Sequence, residues 1–218
     1  DIVEKIFCLW YNAAAISLED KQYLAEEALN KYDYFWNILF EQIRHIGGSI
    51  IPNQEFSYRK DAADMDKSPY LPDVYNQRIV YYELLFKRID GDTEKWLKII
   101  KLFPKITDEM LDTAAETLER DLGTMCDSNR ESIQYALRKI VYRHRFFIHA
   151  AWKADESRIA QLESICSSIS FNDECYSFLY ITKSKDFPFF NPTPYSEKNY
   201  HDENEKKRQQ ITREELLR

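Results

Sequence analysis

The residues of this sequence that could carry out chemistry are concentrated between positions 138 and 153, which read RKIVYRHRFFIHAAWK. This stretch holds five basic residues and two of the chain's four histidines, with no acid, in a protein of formal net charge −7. Arginine binds anions through a planar and permanently charged group, and histidine exchanges protons near neutral pH. The composition therefore predicts a local surface for an anionic ligand.

A helix is the element expected to position these side chains. Apolar residues recur at the spacing of one buried helix stripe, and we include His144 if it is neutral: Ile133, Leu137, Ile140, His144, Phe147 and Ala151. At about 100° per residue, the opposite face carries four polar side chains: Arg138, Tyr142, Arg145 and His149. On the core side of this helix we expect four buried residues: Leu137, Ile140, Phe147 and Ile148.

The string Arg143-His144-x4-His149 resembles the R-x4-6-H motif of the HEPN superfamily. Its local sequence, YRHRFFIHA, is most similar to HEPN domains of abortive-infection and toxin–antitoxin proteins. In this resemblance His149 corresponds to the motif histidine, Arg143 to the arginine and His144 to the polar residue that often follows it. The resemblance implies a dimeric ribonuclease that cleaves RNA without a metal or other cofactor, with the two motif helices meeting across the interface.

The geometry of an ideal helix leaves the arginine partner of His149 open. Arg143 and His149 lie about 120° apart around the axis, whereas Arg145 and His149 lie about 40° apart. Either the motif works across a dimer or Arg145 is the closer partner, so Arg145 is a second catalytic candidate. His144 falls on the core side and is either a buried, hydrogen-bonded histidine or part of the site. Three further residues are predicted to contact RNA: Arg138, Tyr142 and Lys153.

Two readings of the basic face do not involve RNA. The face can be a solvated surface that pairs with the chain's own acids, such as Glu116, Glu119 and Asp121. It can also bind an acidic protein partner, which would make the chain a non-enzymatic interaction or regulatory module. No Glu-x-x-His pair, Gly-rich phosphate loop or G-x-S-x-G elbow is present, so no metal site or other catalytic class is predicted.

The composition predicts an all-α protein. Only four glycines and seven prolines occur in 218 residues, among many helix-favouring side chains. The apolar periodicity predicts a bundle of about seven helices with an irregular insertion at 49–72. Residues 1–185 are expected to form a single helical domain. Residues 186–218 are expected to add an extended segment rich in proline and aromatic residues, followed by a charged helical tail.

Charge and cysteine usage narrow the partners and the compartment. The excess of acid argues against a nonspecific coat on duplex DNA, and no apolar run approaches the length of a membrane span. The four cysteines are widely spaced without a C-x-x-C pair, which favours buried free thiols in a reducing, cytoplasmic setting over metal ligation. We therefore expect RNA, a second copy of the chain or another protein as partner, with a role in phage defence or a toxin–antitoxin system.

Overall fold

The structure, a computed structural model, describes residues 2–9, 16–44, 71–183 and 188–217. Within these ranges the regular structure is helical and no strand is found, which confirms the predicted all-α class. Its α-helices in chain order are α1 (Ile2–Ile6), α2 (Leu18–Lys31), α3 (Phe35–Arg44), α4 (Leu71–Lys87), α5 (Thr93–Ile99), α6 (Asp108–Leu122), α7 (Asp127–Phe146), α8 (Glu156–Ser168), α9 (Leu179–Thr182) and α10 (Tyr200–Leu216). Two 3₁₀ helices, Ile100–Lys105 and Glu174–Phe178, continue α5 and precede α9. Positions 49–70 of the predicted insertion lie outside the described residues.

Capping side chains fix the starts of three helices where the sequence predicts them. The Ser17 hydroxyl accepts a hydrogen bond from the Asp20 amide at 3.0 Å, which begins α2. Thr107 caps α6 through the Met110 amide, and Asp155 caps α8 through the Arg158 amide at 2.7 Å. An oxygen at this position satisfies an amide that has no partner within the helix.

The sequence predicts one helix from Ser17 to the Gly47–Gly48 pair, and this predicted end lies outside the described residues. Before it, the structure shows α2 and α3 separated by a break. Tyr32 has extended backbone angles, φ −138° and ψ 106°, and ends α2. The break lets α3 turn two large aromatic residues, Phe35 and Trp36, into the core. Trp36 Nε1 donates to the Leu85 carbonyl of α4 at 3.2 Å. Tertiary packing therefore overrides a continuous local helix pattern.

The chain divides into two compact units, Asp1–Asp90 and Gly91–Arg218. In the first unit α3 packs against α1, α2 and α4. Its core is formed by large side chains that are almost fully buried: Phe35, Trp36, Leu39, Ile43, Tyr81, Tyr82 and Leu85. The predicted domain boundary between residues 185 and 186 lies outside the described residues.

Helix α7 is the centre of the second unit and packs against α5, α8, α9 and both 3₁₀ helices. Its inward side chains Ile133, Leu137 and Val141 are fully buried, as the apolar stripe predicts for the first two. Nearby, the buried carboxylate of Asp121 accepts hydrogen bonds from Trp96 Nε1 at 3.0 Å and from the Gly91 amide at 3.2 Å.

Residues 188–199, the described residues that precede α10, run along α7. The Tyr195 amide donates to the Phe146 carbonyl at 2.8 Å. Thr193 and Asn204 exchange two hydrogen bonds, Thr193 N to Asn204 Oδ1 at 2.6 Å and Asn204 Nδ2 to the Thr193 carbonyl at 3.1 Å. Phe189 and Tyr180 form a small buried cluster against which Ile211 of α10 packs. The C-terminal residues are therefore built into the same unit as α7.

The cysteines differ from the predicted buried thiols. Only Cys166 is buried, and burial raises the pKa of its thiol to about 12. Cys8 is half-buried, whereas Cys126 and Cys175 are exposed. Periodicity places Cys166 in the core stripe of α8, but Cys126 and Cys175 lie at helix starts, where the pattern gives no burial signal.

Candidate functional site

The basic residues predicted to form the site lie at the C-terminal end of α7. Arg143, His144 and Arg145 occupy its last turn, where positive charge is favoured by the helix dipole. The helix ends at Phe146, and Phe147 leaves the helical region with φ −98° and ψ 69°. The predicted continuation of the helix through residue 153 is therefore wrong.

This early end changes the positions of the residues that follow. Phe147 was predicted to be buried and is 38% exposed, and Ala151 is also exposed. Ile140 and Ile148 are half-buried, so of the four predicted core residues only Leu137 is fully buried. His149 lies in a turn rather than on the face of α7. No glycine or proline marks the helix end, and the apolar spacing continues past it. These two facts explain why the end was not predicted.

His144 is buried and has a structural role. Its Nδ1 accepts a hydrogen bond from the Ala154 amide at 2.9 Å, which ties the turn after α7 back to the helix. Its ring meets Trp152 edge-on at a centroid distance of 5.1 Å. Burial lowers the pKa of His144, and the nearby charges of Arg143, Lys153 and Lys105 lower it further. The imidazole is therefore held neutral, as its place in the apolar stripe requires.

We expect the free energy of unfolding to fall in mild acid because of His144. Since its pKa is lower in the folded state, the unfolded chain binds the proton more readily. The stability that the neutral ring contributes is fully present above the ordinary pKa of about 6.5 and is lost as pH falls through the lowered folded value. Urea unfolding of wild type and His144→Gln between about pH 5 and 8 measures this. Parallel pH dependences of the two proteins would contradict it, because glutamine cannot titrate.

Arg145 is held by partners on two other segments. Its guanidinium lies 2.6 Å from a carboxylate oxygen of Glu163 and 3.5 Å from one of Glu156, both on α8. It also donates to the Phe190 carbonyl at 2.8 Å and to Asn191 Oδ1 at 3.0 Å. With only 17% of its side chain exposed, Arg145 has little capacity left for a ligand.

Arg138 and Tyr142 are covered by side chains of α9 and of the described residues that precede α10. The Arg138 guanidinium lies 3.9 Å from the Tyr180 ring centroid and 4.6 Å from that of Phe190, a double cation–π contact. Tyr142 stacks on Phe146 at 5.6 Å and meets Phe189 edge-on at 5.5 Å. The face that sequence analysis predicts to be open is therefore largely packed inside the unit. Lys153 is half-buried and lies 4.0 Å from Glu156.

Arg143 and His149 remain open to solvent. The Arg143 guanidinium lies over the Trp152 ring, 4.4 Å from its centroid, and Arg143 is exposed. His149 is exposed, and no hydrogen bond or ion pair to its side chain is found in the part of the chain that the structure describes. These two residues, which correspond to the motif arginine and histidine, are thus the ones available to a ligand.

Aromatic rings surround this end of α7 and form what we call the aromatic cluster: Phe146, Phe147, Trp152, Tyr195 and Tyr200. Three of them expose a large fraction of their surface, with Phe147 and Trp152 at 38% and Tyr195 at 54%. Tyr195 comes from the segment after α9 and meets Phe147 at 5.8 Å. Sequence analysis missed this cluster, although the aromatic density of FFIHAAW and of DFPFFNPTPY was a signal for it.

Comparison with protein-family models, curated sequences and solved structures finds no match for this chain. Within the described ranges, none of the helices combines the length and apolar character needed to cross a lipid bilayer.

The arrangement combines two kinds of contact that single-stranded nucleic acid uses. Exposed aromatic rings can stack on bases, and a neighbouring arginine can contact phosphate. An exposed histidine lies in the turn between two of these rings, Phe147 and Trp152, and histidine can transfer protons. The same exposed rings could equally form the centre of a protein interface, where aromatic residues and arginine are enriched.

Proposed function

We propose that this protein is a HEPN-like, metal-independent endoribonuclease that acts on single-stranded RNA at the end of α7. The observation that supports the proposal is that Arg143, which stacks on Trp152, and His149, in the turn between Phe147 and Trp152, are both exposed. The other predicted cations, Arg138, Arg145 and Lys153, are half-buried and contact partners inside the unit, whereas Arg143 is exposed although it stacks on Trp152.

In this mechanism the substrate provides the nucleophile. The ribose 2′-hydroxyl loses a proton to His149 and attacks the adjacent phosphorus, the bond to the 5′-oxygen breaks, and the leaving oxygen takes a proton from water. His149 then returns its proton to the hydroxide that remains. The products carry a 2′,3′-cyclic phosphate and a 5′-hydroxyl. Arg143 stabilises the extra negative charge on the phosphoryl oxygens as the five-coordinate species forms.

The four predicted catalytic residues receive different roles in this proposal. His149 and Arg143 contact the substrate, whereas His144 and Arg145 position the turn and the helix end through Ala154 and Glu163. A homodimer that pairs two such helix ends would supply a second histidine and arginine, as the HEPN resemblance implies. A cytoplasmic setting, with a role in phage defence or a toxin–antitoxin pair, belongs to the same proposal.

A cleavage assay in EDTA tests the proposal. End-labelled single-stranded RNA incubated with the purified chain should give fragments that end in 2′,3′-cyclic phosphate. A matched substrate with one 2′-deoxyribose at the cleaved position should resist cleavage there, because it lacks the nucleophile. Cleavage that requires added metal, or that cuts the deoxy position equally well, would contradict the mechanism.

A second candidate is a helical interaction module that binds another protein. Arg145 and Arg138 each have partners inside the unit, Glu163 and Tyr180 respectively. This favours the second candidate, because aromatic rings rather than charges then dominate the exposed surface. In that case the aromatic cluster is a binding hot spot, and replacing Trp152 should weaken a protein complex. An intact fold with neither RNA binding nor cleavage would select this candidate.

A further inference from the structure

Away from the end of α7, the second unit has an open cleft between α6 and α8. Its volume is about 520 Å³. It is lined by residues of α6, α8 and their adjoining turns and by one residue of α7: Asp112, Ala115, Glu116, Leu118, Glu119, Leu122, Gly123, Arg130, Ile165, Ser168, Ile169 and Ser170. None of the contacts described for the aromatic cluster involves these residues, so the cleft is a separate surface.

One edge of the cleft is a row of carboxylates on α6. Asp112, Glu116 and Glu119 are spaced four and three residues apart, which places them on one face of the helix, and all three are exposed. Their side chains have no ion pair within the described part of the chain. Like charges at this spacing repel one another, and a cationic partner would relieve the repulsion.

The cation that lines the cleft does not neutralise this row. Arg130 Nε donates to the Leu122 carbonyl at 2.9 Å, and its Nη1 donates to the Ser170 carbonyl at 3.1 Å. The same Nη1 lies 3.7 Å from Asp127. Arg130 therefore joins the end of α6 to the residues after α8. The electrostatic potential along the row of carboxylates stays negative.

The floor of the cleft is apolar. Leu118 and Ile169 are buried, with 1% and 6% exposed, whereas Leu122 and Ile165 are half-buried and present apolar surface to the opening. A small hydrophilic cation would leave this surface wet. An occupant that carries branched apolar side chains would remove it from water, which is the main favourable term in association.

We propose that this cleft binds a basic, amphipathic helical segment of a partner protein. Such a segment places apolar side chains along one stripe and lysine or arginine beside them, a common form of helix-in-groove recognition. Its rise of about 1.5 Å per residue equals that of α6, so cations spaced four and three residues apart match Asp112, Glu116 and Glu119 along about 10 Å. This inference does not depend on RNA cleavage at α7.

Binding of a model peptide tests the proposal. The probe is a fluorescent helical peptide of leucine and lysine with the leucines on one face, compared with a leucine–glutamate peptide of the same pattern and with oligolysine. The leucine–lysine peptide should bind saturably and most tightly. The charge reversal Glu116→Lys with Glu119→Lys should weaken it at least about tenfold, because like charges across an interface are strongly disfavoured. Ile165→Ala should also weaken peptide binding, because it removes apolar surface from the floor of the cleft.

A matched control separates the cleft from the overall charge. Glu197→Lys with Glu203→Lys changes the net charge equally at exposed residues of the same unit that do not line the cleft, and it should leave peptide affinity within about twofold because solvent screens charges that the peptide does not contact. Equal weakening by both double variants, or oligolysine binding as tightly as the amphipathic peptide, would reduce the effect to general cation attraction and overturn the proposal. Circular dichroism of each variant verifies the fold.

Location is tested by photocrosslinking. A photoreactive leucine analogue in the peptide should label residues between 112 and 130 or between 165 and 170, and labels elsewhere would overturn the assignment. Sedimentation tests a second copy of the chain as occupant. Self-association that the Glu116→Lys with Glu119→Lys variant abolishes would replace the proposed partner by that second copy.

Discussion

Replacing His149 by alanine is expected to reduce metal-free RNA cleavage by about 10²–10⁴-fold, the usual contribution of a general acid–base residue. His149 is exposed in the turn after α7 and makes no side-chain hydrogen bond within the described residues, so its removal should leave the fold intact. RNA affinity should persist, since stacking on the aromatic cluster and the charge of Arg143 remain. Single-turnover cleavage in EDTA and fluorescence anisotropy measure the two quantities separately.

The matched control is His201→Ala on α10. His201 is also exposed, and its ring lies tilted against that of Tyr200 at a centroid distance of 4.0 Å without belonging to the proposed catalytic pair. Its removal should leave the cleavage rate within about twofold, as expected for a surface substitution. A rate that is unchanged in His149→Ala while cleavage still occurs in EDTA would remove this residue from the mechanism. Equal losses in both variants would point to a disturbed surface rather than to a lost proton acceptor.

Replacing Leu137 by alanine is expected to lower the free energy of unfolding by about 2–5 kcal/mol. Leu137 is fully buried on α7, the helix that packs against α5 and α8. Its truncation removes apolar contacts and leaves a cavity that the surrounding helices can close only in part. Urea unfolding followed by far-ultraviolet circular dichroism should show the midpoint shifted to lower denaturant.

Lys139→Ala is the comparison for this effect, because Lys139 lies two residues further along the same helix and is exposed. It should change stability by less than about 0.5 kcal/mol, as surface substitutions usually do. If Leu137→Ala left the midpoint unchanged, the phase assigned to α7 would be wrong, and the exposure of Arg143 would need a new explanation.

Local signals made much of the fold predictable from the sequence. Ser17, Thr107 and Asp155 each accept a hydrogen bond from the amide three residues further on, so their capping roles follow from the local sequence. The break at Tyr32 was not predictable in this way. It has no glycine or proline, and it is explained by the distant packing of Trp36 against Leu85.

The candidate site shows the same limit. Arg143 and His149 stand out in the sequence because their residue types and spacing are local properties. Arg145 also stood out, but its pairing with Glu163 and with the Phe190 carbonyl joins residues that are 18 and 45 positions apart. Such distant pairs have no periodic signature, so sequence analysis could list the cations without showing which of them are already neutralised.

The contacts between α7 and the segment before α10 decide where the chain can be shortened. A version cut at residue 185 would lose the Phe190 ring stacked on Arg138, the Phe190 and Asn191 acceptors of Arg145, and the amide that bonds the Phe146 carbonyl. Freshly uncovered rings and guanidinium groups would then face solvent, and polyanions could bind there nonspecifically. RNA binding by such a fragment would report an artefact of truncation, so binding studies need the chain through α10.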